Sequence, residues 1–412
     1  MARILLSAYA CEPGRGSEPG VGWSWATELA GIGHQVTVIT RADNRRTIER
    51  HAPRPMPNLN YLYYDLPTWV QRWRRCPGGK PLYYVLWQWF AARHLRQLIS
   101  SLPFDVVHHV TYVSARYPSF MGSLGIPFLF GPVSGGEGVP PRLRSGFSAG
   151  QRCRERLRDV SNFLVRFDPL MRRTFRQATR ILVTPDTVRL VPRCWHHKCE
   201  THLAIGLSEL YLSEAKSKTT RSRQSPQLLY VGRLLEWKGL SIALRAMSRV
   251  MKSYPGLRLV IAGEGPARSR LERLSHELGL SEIVHWLGRL TQKELEQYYR
   301  AADLLLFPSL RDSGGMVVLE ALAHGVPVLC TDLGGPGLIV NETCGCVVAT
   351  SDQDPEQLAG RFAEALRELF DTPGRMDSLT AGARARARWF NFQQLARSVH
   401  PAPKIKFRRR AI

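Results

Sequence analysis

Short apolar runs alternate with amphipathic runs along most of this 412-residue chain. Runs rich in β-branched and other apolar residues predict strands at residues 4–9, 35–40, 59–64, 106–110, 127–131, 180–185, 228–232, 258–263, 283–288, 303–309, 327–332 and 345–349. Helical patterns lie between most of them, for example at residues 22–31, 240–253, 267–278 and 316–325. Strands that alternate with helices are typical of α/β proteins, in which helices cover both faces of a parallel sheet.

The strands fall into two series, which predicts two Rossmann-like, doubly wound domains. A polar stretch at residues 213–227, rich in Ser, Thr, Lys and Arg, indicates a surface loop or linker near their junction. We place the first domain at residues 1–205 and the second at residues 206–385. The last segment, residues 386–412, is expected to be a helix that packs back on the first domain, followed by a basic tail. Ligands of such sheets bind at the carboxyl ends of the strands, so two facing domains would form a cleft.

One segment, residues 61–100, departs from this alternation because it combines many aromatic residues with many arginines. From residue 81 it has the pattern of a helix with an aromatic start and a basic end. One interpretation is a core helix with a basic outer face. The other is an element at a membrane interface, where Trp and Tyr suit the headgroup layer and Arg suits anionic lipid. Residues 152–180 are also basic and could belong to the same face.

The charge balance is strongly basic, since 57 Lys and Arg against 34 Asp and Glu give a net charge of +23. Such a charge indicates an anionic partner, such as nucleic acid, acidic lipid or a phosphorylated substrate. No nucleic-acid-binding motif is recognisable, and we expect no nucleic acid. No run approaches the length of a spanning helix, and the first residues do not fit a signal peptide. We expect a cytoplasmic protein with free cysteine thiols, with peripheral contact at an anionic membrane face left open.

Two groups of residues raise the question of a metal, and we expect neither to bind one. The first is a cluster of cysteines and histidines, namely Cys194, His196, His197, Cys199 and His202. Its spacing matches no strong zinc pattern, which favours a basic surface connector. The second is the Asp-x-Asp formed by Asp352 and Asp354. It precedes a helical run, where an aspartate is expected to cap the helix.

Two cations follow the first strand of the second domain. Arg233 comes directly after the strand that ends at Gly232, and Lys238 stands at the start of the next helix. Cations at a strand end beside a helix N-terminus are positioned to hold phosphate. Solvated surface charge would explain the two residues as well.

Glycine turns end the next two strands. Gly263 and Glu264 open a Gly-Glu-Gly-Pro turn, where glycine allows close approach of the backbone to a ligand. Arg289 and Leu290 follow Gly288 at another strand end. No Gly-Lys-Ser or Gly-Lys-Thr follows the first turn, which excludes a Walker A loop, and the dinucleotide fingerprint is absent as well.

The stretch RDSGGMVVLEALAHGVPVLC, residues 311–330, places two acids around a helix start. Gly314 and Gly315 would leave backbone N–H groups free to face a ligand, and a helix start carries a partial positive charge that favours phosphate. Asp312 in the loop and Glu320 in the helix could accept hydrogen bonds from the hydroxyl pairs of a ribose and a sugar. The alternative for Glu320 is an exposed helix glutamate, since its apolar neighbours mark the buried side.

Four motifs, VGRLLEWKGL, AGEGP, LGRL and DSGGMVVLEALAHGVPVL, resemble in order and spacing the retaining glycosyltransferases of family 4, which have the GT-B fold. Three earlier stretches, GSEPGVGWSWATELAGIGHQVTVIT, DVVHHVTY and PFLFGPVSGGEG, are similar to a bacterial branch of that family. The match covers nearly the whole chain. It implies a nucleotide-diphosphate sugar donor held by the second domain and a glycan or lipid-linked acceptor held mainly by the first, in polysaccharide or glycolipid biosynthesis.

The resemblance also implies roles for individual residues. Arg233 and Lys238 would neutralise the diphosphate, and Glu320, the second acid of the family's E-x7-E motif, would bind the ribose. Asp312 stands where the family usually has Glu and would contact the transferred sugar. Further contacts to the donor are implied at Gly20, Gly22, Gly263, Glu264, Arg289, Leu290, Gly314, Gly315, Met316 and Val317.

The family keeps a histidine near the reacting carbon, and this sequence offers two, His108 and His109. Neighbouring residues of a strand face opposite ways, so only one of them could point into the cleft, and the choice stays open. The implied mechanism is front-face substitution with retention, which needs neither a protein nucleophile nor a metal and relies on positioning and charge neutralisation. Two alternatives stay open: a nucleotide-sugar epimerase of the same fold, and a non-catalytic basic protein that binds nucleic acid or membrane.

Overall fold

The computed structural model describes residues 1–14, 18–51, 56–76, 78–99, 102–112, 114–215 and 225–401. They form two compact units, each built on its own parallel sheet. The first unit comprises Met1–Gly136, Ser161–Ala204 and the described residues from Phe392 onward. The second comprises Glu137–Val160 and Ile205–Asn391.

The strands and helices alternate through most of the chain. The strands are β1 Arg3–Ser7, β2 Gln35–Arg41, β3 Leu59–Tyr64, β4 Val106–His109, β5 Phe128–Val133, β6 Arg180–Val183, β7 Cys199–Thr201, β8 Gln227–Val231, β9 Arg258–Ala262, β10 Val284–Gly288, β11 Leu304–Phe307, β12 Val328–Thr331 and β13 Gly345–Val348. The helices are α1 Glu18–Gly31, α2 Arg45–His51, α3 Thr68–Gln71, α4 Gly79–Ile99, α5 Ala149–Leu164, α6 Pro169–Gln177, α7 Glu209–Glu214, α8 Leu240–Val250, α9 Arg268–Glu277, α10 Gln292–Ala301, α11 Met316–Ala323, α12 Gly334–Ile339, α13 Pro355–Asp371, α14 Arg375–Trp389 and α15 Phe392–Val399.

The first sheet has the strand order β3-β2-β1-β4-β5-β6-β7, and all of its pairings are parallel. Its core contains large aromatic side chains that are almost completely buried, among them Trp25, Trp87, Phe128 and Phe130. Trp25 of α1 contacts Phe392 of α15 edge to face, with ring centroids 5.4 Å apart. The last described helix therefore packs on the first helix of this unit.

The second sheet has the order β10-β9-β8-β11-β12-β13, again with parallel pairings only. Strand order reverses between β8 and β11, which are neighbours in the sheet but lie far apart in sequence. In open parallel sheets this switch point is where ligands bind, beyond the carboxyl ends of the strands. The loops after β8 and β11 therefore define the candidate site of this unit.

All of the predicted strands are present, and no strand end differs from the predicted one by more than two residues. Strand β7 was missed because it has only three residues and lacks a fully buried side chain. The predicted division at residue 205 did not separate out residues 137–160, which group with the second unit. Most of the predicted linker at 213–227, and the predicted basic tail after residue 401, lie outside the described residues.

Helix α4 settles part of the question raised by the aromatic segment. Tyr83, Tyr84 and Trp87 of this helix are completely buried, as expected for a core helix. Trp89 and Phe90 of the same helix are exposed. Within the described ranges, no helix has the length and apolar character needed to cross a bilayer.

Candidate functional site

Arg233 lies at the carboxyl end of β8, one residue beyond the glycine that follows the strand. The side chain is exposed, and the guanidinium forms no hydrogen bond or ion pair with any described residue. An unpaired guanidinium beside a sheet switch point is available to an anionic ligand, because five N–H donors in a planar fork match a phosphate.

Lys238 ends a 3₁₀ turn, Glu236–Lys238, that follows β8 and precedes α8. Its Nζ donates a hydrogen bond of 2.5 Å to Oδ2 of Asp312, in the loop after β11. The same ammonium lies 5.5 Å from the ring centroid of Phe307. Both the lysine and the aspartate side chain are 19% exposed, so this ion pair lies at the surface of the site rather than in the core.

Asp312 also holds the glycine turn that precedes helix α11. Its Oδ1 accepts hydrogen bonds from the backbone N–H groups of Gly314, at 3.1 Å, and Gly315, at 3.0 Å. The expectation that these two N–H groups would be free to face a ligand is therefore wrong, because the neighbouring carboxylate already occupies them. The N–H groups of Met316 and Val317 have no acceptor among the described residues, so the first turn of α11 keeps two open donors.

The first glycines of α12 pack against the loop that carries Asp312, and they were not among the predicted site residues. The N–H of Gly335 donates a 2.9 Å hydrogen bond to the carbonyl oxygen of Asp312. A Cβ on Gly334 would lie 2.0 Å from that same oxygen, and a Cβ on Gly335 would lie 2.3 Å from the carbonyl oxygen of Gly314. Only glycine permits this close packing. The signal was the glycine-rich run that directly follows β12.

Glu320 of α11 is partly buried, and its Oε2 accepts a 2.8 Å hydrogen bond from the hydroxyl of Tyr299 in α10. Burial raises the pKa of Glu320 to about 7, and the tyrosine hydrogen bond opposes that shift. The tyrosine ring stacks on His324, with centroids 5.3 Å apart. The alternative of an exposed helix glutamate is therefore wrong, because α10 covers this side of α11.

Glycine is required at positions 263 and 265 for packing within the protein, whereas the sequence suggested close approach of the backbone to a ligand. A Cβ on Gly263 would lie 1.9 Å from the carbonyl oxygen of Gly232, and a Cβ on Gly265 would lie 2.3 Å from that of Leu234. The close approach is thus between two loops of the protein. Glu264 forms an ion pair with Arg268 of α9.

The remaining residues predicted for the donor differ in exposure and lie in both units. Arg289 is exposed and Leu290 is partly buried, directly after the left-handed Gly288 with φ +73°. In the first unit, Gly20 and Gly22 lie in the first two turns of α1. A Cβ on Gly22 would lie 2.1 Å from the carbonyl oxygen of Ala10, so this glycine also serves packing within the protein.

The two candidate histidines are both buried, at 0% exposure for His108 and 1% for His109. His108 has Nε2 2.7 Å from the carbonyl oxygen of Gly131 and Nδ1 3.0 Å from Nε2 of His400. His109 has Nε2 3.3 Å from the hydroxyl of Tyr84, and its Nδ1 has no hydrogen-bond partner among the described residues. Burial lowers the pKa of both rings, that of His109 to about 3, so both are neutral at physiological pH.

The residues that raised the question of a metal have other contacts. Asp354 caps α13, with its carboxylate accepting from the N–H groups of Glu356 and Gln357, which confirms the predicted cap. The ring of His196 binds the carbonyl oxygen of Val191 at 2.8 Å. In the part of the chain that the structure describes, no group of three or more His, Cys, Asp or Glu side chains is placed to hold a metal ion.

Comparison with known families finds two matches. Residues 213–382 match the model described as "Glycosyl transferases group 1", and residues 16–193 match "Glycosyl transferase 4-like domain". Together the two models account for most of both units. The match at residues 16–193 begins and ends in the first unit, and the match at residues 213–382 begins and ends in the second.

Two curated relatives illustrate the sequence similarity. A D-inositol 3-phosphate glycosyltransferase of Thermobispora bispora is 37% identical over 178 residues, covering 41% of this chain and 40% of that protein. A protein of the same name from Acidothermus cellulolyticus is 30% identical over 252 residues, covering 56% of this chain and 52% of that protein. The chain thus aligns with about two fifths to one half of these relatives.

Solved structures resemble the chain over almost its whole length. Sucrose-phosphate synthase of Thermosynechococcus elongatus has a TM-score of 0.62 at 18% identity, covering 97% of both chains. HepE of Anabaena, solved in complex with UDP and glucose, has a TM-score of 0.57 at 14% identity, covering 97% of this chain and 98% of that chain. At such identities the likeness establishes the fold.

Proposed function

The chain belongs to the GT-B glycosyltransferases of family 4, and on this premise we propose that it transfers a sugar from a nucleotide-diphosphate sugar to a glycan or lipid-linked acceptor, with retention at the anomeric carbon. The observation that carries the proposal is the pairing of Lys238 with Asp312 at the N-terminus of α11. It joins a cation, a carboxylate and a helix start at the switch point of the second sheet. A cation and a helix start suit the diphosphate of such a donor, and a carboxylate suits the hydroxyl groups of its sugar.

The diphosphate of the donor would bind between Arg233 and the start of α11. Arg233 is exposed and unpaired within the described residues, and Lys238 is held close by through Asp312. The open N–H groups of Met316 and Val317 add two hydrogen-bond donors and the positive end of the helix dipole. Donors aimed at a phosphate in this way also stabilise the negative charge that grows as the diphosphate leaves.

The nucleoside would bind beside Glu320 and the loop after β10. A carboxylate can accept hydrogen bonds from both ribose hydroxyls. One oxygen of Glu320 accepts from Tyr299, and the other has no partner within the described ranges. Backbone groups of Arg289 and Leu290 would hold the base. HepE was solved with UDP and with UDP-glucose, which supports a nucleotide-sugar donor for a chain of the same fold.

The chemical step needs no covalent intermediate. The bond between the anomeric carbon and the diphosphate oxygen breaks, and the acceptor oxygen forms its bond on the same face. The acceptor hydroxyl proton passes to the departing diphosphate. Arg233, Lys238 and the α11 N-terminus accelerate the reaction by stabilising the leaving group, and Asp312 orients the sugar.

A lipid-linked acceptor at the cytoplasmic membrane face fits the exposed aromatic residues of the first unit. Trp69 is 61% exposed and Trp89 is 52% exposed, in a protein of net charge +23. Arg93 lies four residues after Trp89 in α4, so the two side chains share one helix face. Exposed tryptophan beside arginine suits the headgroup layer of an anionic bilayer. Exposed Phe163 and Phe167, whose ring centroids lie 5.3 Å apart, add a second apolar element.

The proposal is tested by screening nucleotide sugars for thermal stabilisation of the protein and then offering the best donor with membrane lipid extracts. Transfer to a lipid fraction is the expected result. Conversion of the sugar without any acceptor would instead indicate an epimerase. Salt-sensitive binding to nucleic acid or lipid without any nucleotide binding would indicate a non-catalytic protein.

A further inference from the structure

Helix α5 places a carboxylate in the interior of the second unit. Glu155 comes from the first half of the sequence, yet it groups with this unit. Its Oε2 lies 2.6 Å from Nη1 of Arg311, and the side chains are 2% exposed for the glutamate and 13% exposed for the arginine. The two residues are 156 positions apart in sequence. This is a buried ion pair, unlike the many ion pairs on the surface.

Each partner of this ion pair is held by a further contact. The Oε1 of Glu155 accepts a 2.6 Å hydrogen bond from the side-chain amide of Gln151, one turn earlier in α5. The guanidinium of Arg311 lies over the ring of Trp237, 4.4 Å from its centroid. The rotamers of both charged groups are thereby fixed.

The chain positions of these residues connect them to the proposed donor site. Arg311 directly precedes Asp312, and Trp237 directly precedes Lys238. A shift of the backbone at Arg311 or Trp237 would therefore shift the adjoining member of the Lys238–Asp312 pair. The contacts of Arg311 with Glu155 and Trp237 thus restrain the two chain segments that carry the pair.

A second link joins α5 to the same turn. The backbone N–H and the hydroxyl of Ser148, directly before α5, donate to the two carboxylate oxygens of Glu236, each at 2.6 Å. Glu236 begins the 3₁₀ turn that ends at Lys238. Residues in and directly before α5 therefore contact both chain segments that carry the Lys238–Asp312 pair. Ser148 binds the turn that ends at Lys238, and Glu155 binds the residue before Asp312.

A buried ion pair is a poor device for stability alone, because desolvation of the two charges offsets most of their attraction. Its clearest use is to select one geometry over others, since each charge strongly disfavours any arrangement that leaves it unpaired. We propose that Glu155 and Arg311 are positioning residues of the donor site, which hold Asp312 and Lys238 in register for the diphosphate and the sugar. This inference rests on the proposed function.

The test compares three variants of the full-length protein. Glu155→Gln removes one charge, and Glu155→Leu with Arg311→Met removes the pair while keeping apolar volume. Glu356→Gln is the matched control, because Glu356 pairs with Arg245 and Arg249 elsewhere in the same unit. Binding of UDP, GDP and ADP is measured by calorimetry well below each melting temperature, and donor KM, acceptor KM and kcat are measured where transfer is detected.

We expect Glu155→Gln to weaken nucleoside diphosphate binding roughly tenfold and to raise donor KM with little change in acceptor KM. The double variant should regain thermal stability yet keep the weak binding, because it restores packing but not register. The control should bind like the wild type. This pattern is one that a purely structural role would not produce.

Wild-type affinity in the folded double variant would overturn the inference and leave the proposed function intact, and this holds even if Glu155→Gln does not fold. Wild-type affinity in Glu155→Gln would do the same. Failure of the wild-type protein to bind any of the three nucleotides or any nucleotide sugar would instead overturn the proposed function and, with it, this inference.

Discussion

Lys238 Nζ lies 2.5 Å from Oδ2 of Asp312, so the proposed diphosphate-binding cation is already paired before a donor arrives. The other carboxylate oxygen of Asp312 accepts hydrogen bonds from the N–H groups of Gly314 and Gly315, directly before α11. A donor phosphate would therefore compete with a carboxylate of the protein for the same ammonium. Without a donor, the Lys238–Asp312 ion pair keeps the two side chains in place, and a bound phosphate would have to weaken that ion pair.

Replacing Asp312 by Asn tests this competition. The amide oxygen of Asn can still accept from the N–H groups of Gly314 and Gly315, but the charge that holds Lys238 is lost. We expect nucleoside diphosphates to bind more tightly, by about 0.5–1 kcal/mol, the usual value of a partly exposed ion pair. Sugar transfer should fall roughly tenfold, because the acid proposed to orient the sugar is gone. Calorimetry with UDP, together with initial rates, checks both, and weaker UDP binding by the variant would contradict the account.

Replacing Arg233 by Ala should lower the rate of sugar transfer without lowering the stability of the protein. The side chain is exposed and unpaired among the described residues, so the melting temperature should change little. Loss of a phosphate-binding cation should lower kcat/KM roughly a hundredfold, and with Lys238→Ala added, transfer should disappear. The control is Arg273→Ala, another exposed arginine of the same unit. Equal losses in the two single variants would show that only the net charge matters.

Glu320 predicts an unusual dependence of donor binding on pH. Its pKa, raised by burial to about 7, means that about half of the free protein carries the proton near neutrality. Only the ionised carboxylate accepts hydrogen bonds from both ribose hydroxyls. We expect donor affinity to rise between pH 6 and pH 8 by roughly tenfold, in proportion to the ionised fraction. Titrations with UDP at several pH values measure this, and Glu320→Gln should flatten the profile.

The same pKa shift predicts how stability changes with pH. In the window between about 4.5 and about 7, the folded protein holds a proton at Glu320 that the unfolded chain has released. The free energy of unfolding contributed by this group therefore falls as pH rises through that window, by about 3 kcal/mol in total. Glu320→Gln should be more stable than the wild type at pH 8 and similar at pH 5. Chemical denaturation at both values checks this, and a stability difference that does not change with pH would contradict it.

Gly22 is a glycine in a helix whose replacement should destabilise the protein. A Cβ at this position would lie 2.1 Å from the carbonyl oxygen of Ala10, whereas a Cβ on Gly31 of the same helix would have nothing within 4 Å. We expect Gly22→Ala to cost about 2–4 kcal/mol, since backbone must move. Gly31→Ala should be neutral or stabilise by up to about 1 kcal/mol. Urea titrations of both variants measure the difference, and similar values would show that α1 shifts without cost.

Exposed tryptophans of the first unit should determine membrane binding. Trp69→Ser with Trp89→Ser should weaken sedimentation with vesicles of phosphatidylglycerol and phosphatidylcholine, roughly tenfold or more. Trp389→Ser is the control, because Trp389 is 73% exposed but lies in the second unit. Binding should also weaken as salt is raised. Equal effects of the control and the double variant would remove the support for a membrane-facing role of α3 and α4.

Periodicity predicted the two sheets because a buried parallel strand must be apolar and must alternate with a covering helix. The ends of the predicted strands, together with the family resemblance, then indicated the cations, the acids and the helix start of the candidate site, and their roles stay predictions. It failed where a residue's environment comes from a distant element. The burial of Glu320 depends on Tyr299, which lies 21 residues away, and nothing in the local pattern of α11 reports it.

The assignment of residues 137–160 could not be predicted for a related reason. Helix α5 carries many arginines, a pattern typical of a charged surface helix. Nothing in the sequence around Glu155 distinguishes this buried acid from an exposed one. Only the structure shows that Glu155 meets Arg311. The structure adds a packing role for the glycine turns, which the sequence did not indicate, because close approach to another loop and close approach to a ligand both require glycine.

The position of α5 has a consequence for synthesis of the protein on the ribosome. Glu155 emerges 156 residues before its partner Arg311, which takes on the order of ten to thirty seconds at ordinary elongation rates. Throughout that time the nascent helix must keep its carboxylate in water. The second unit can therefore complete its folding only after residue 311 has been made, although α5 is synthesised long before. Shortened chains that end before Arg311 should remain sensitive to proteases at α5.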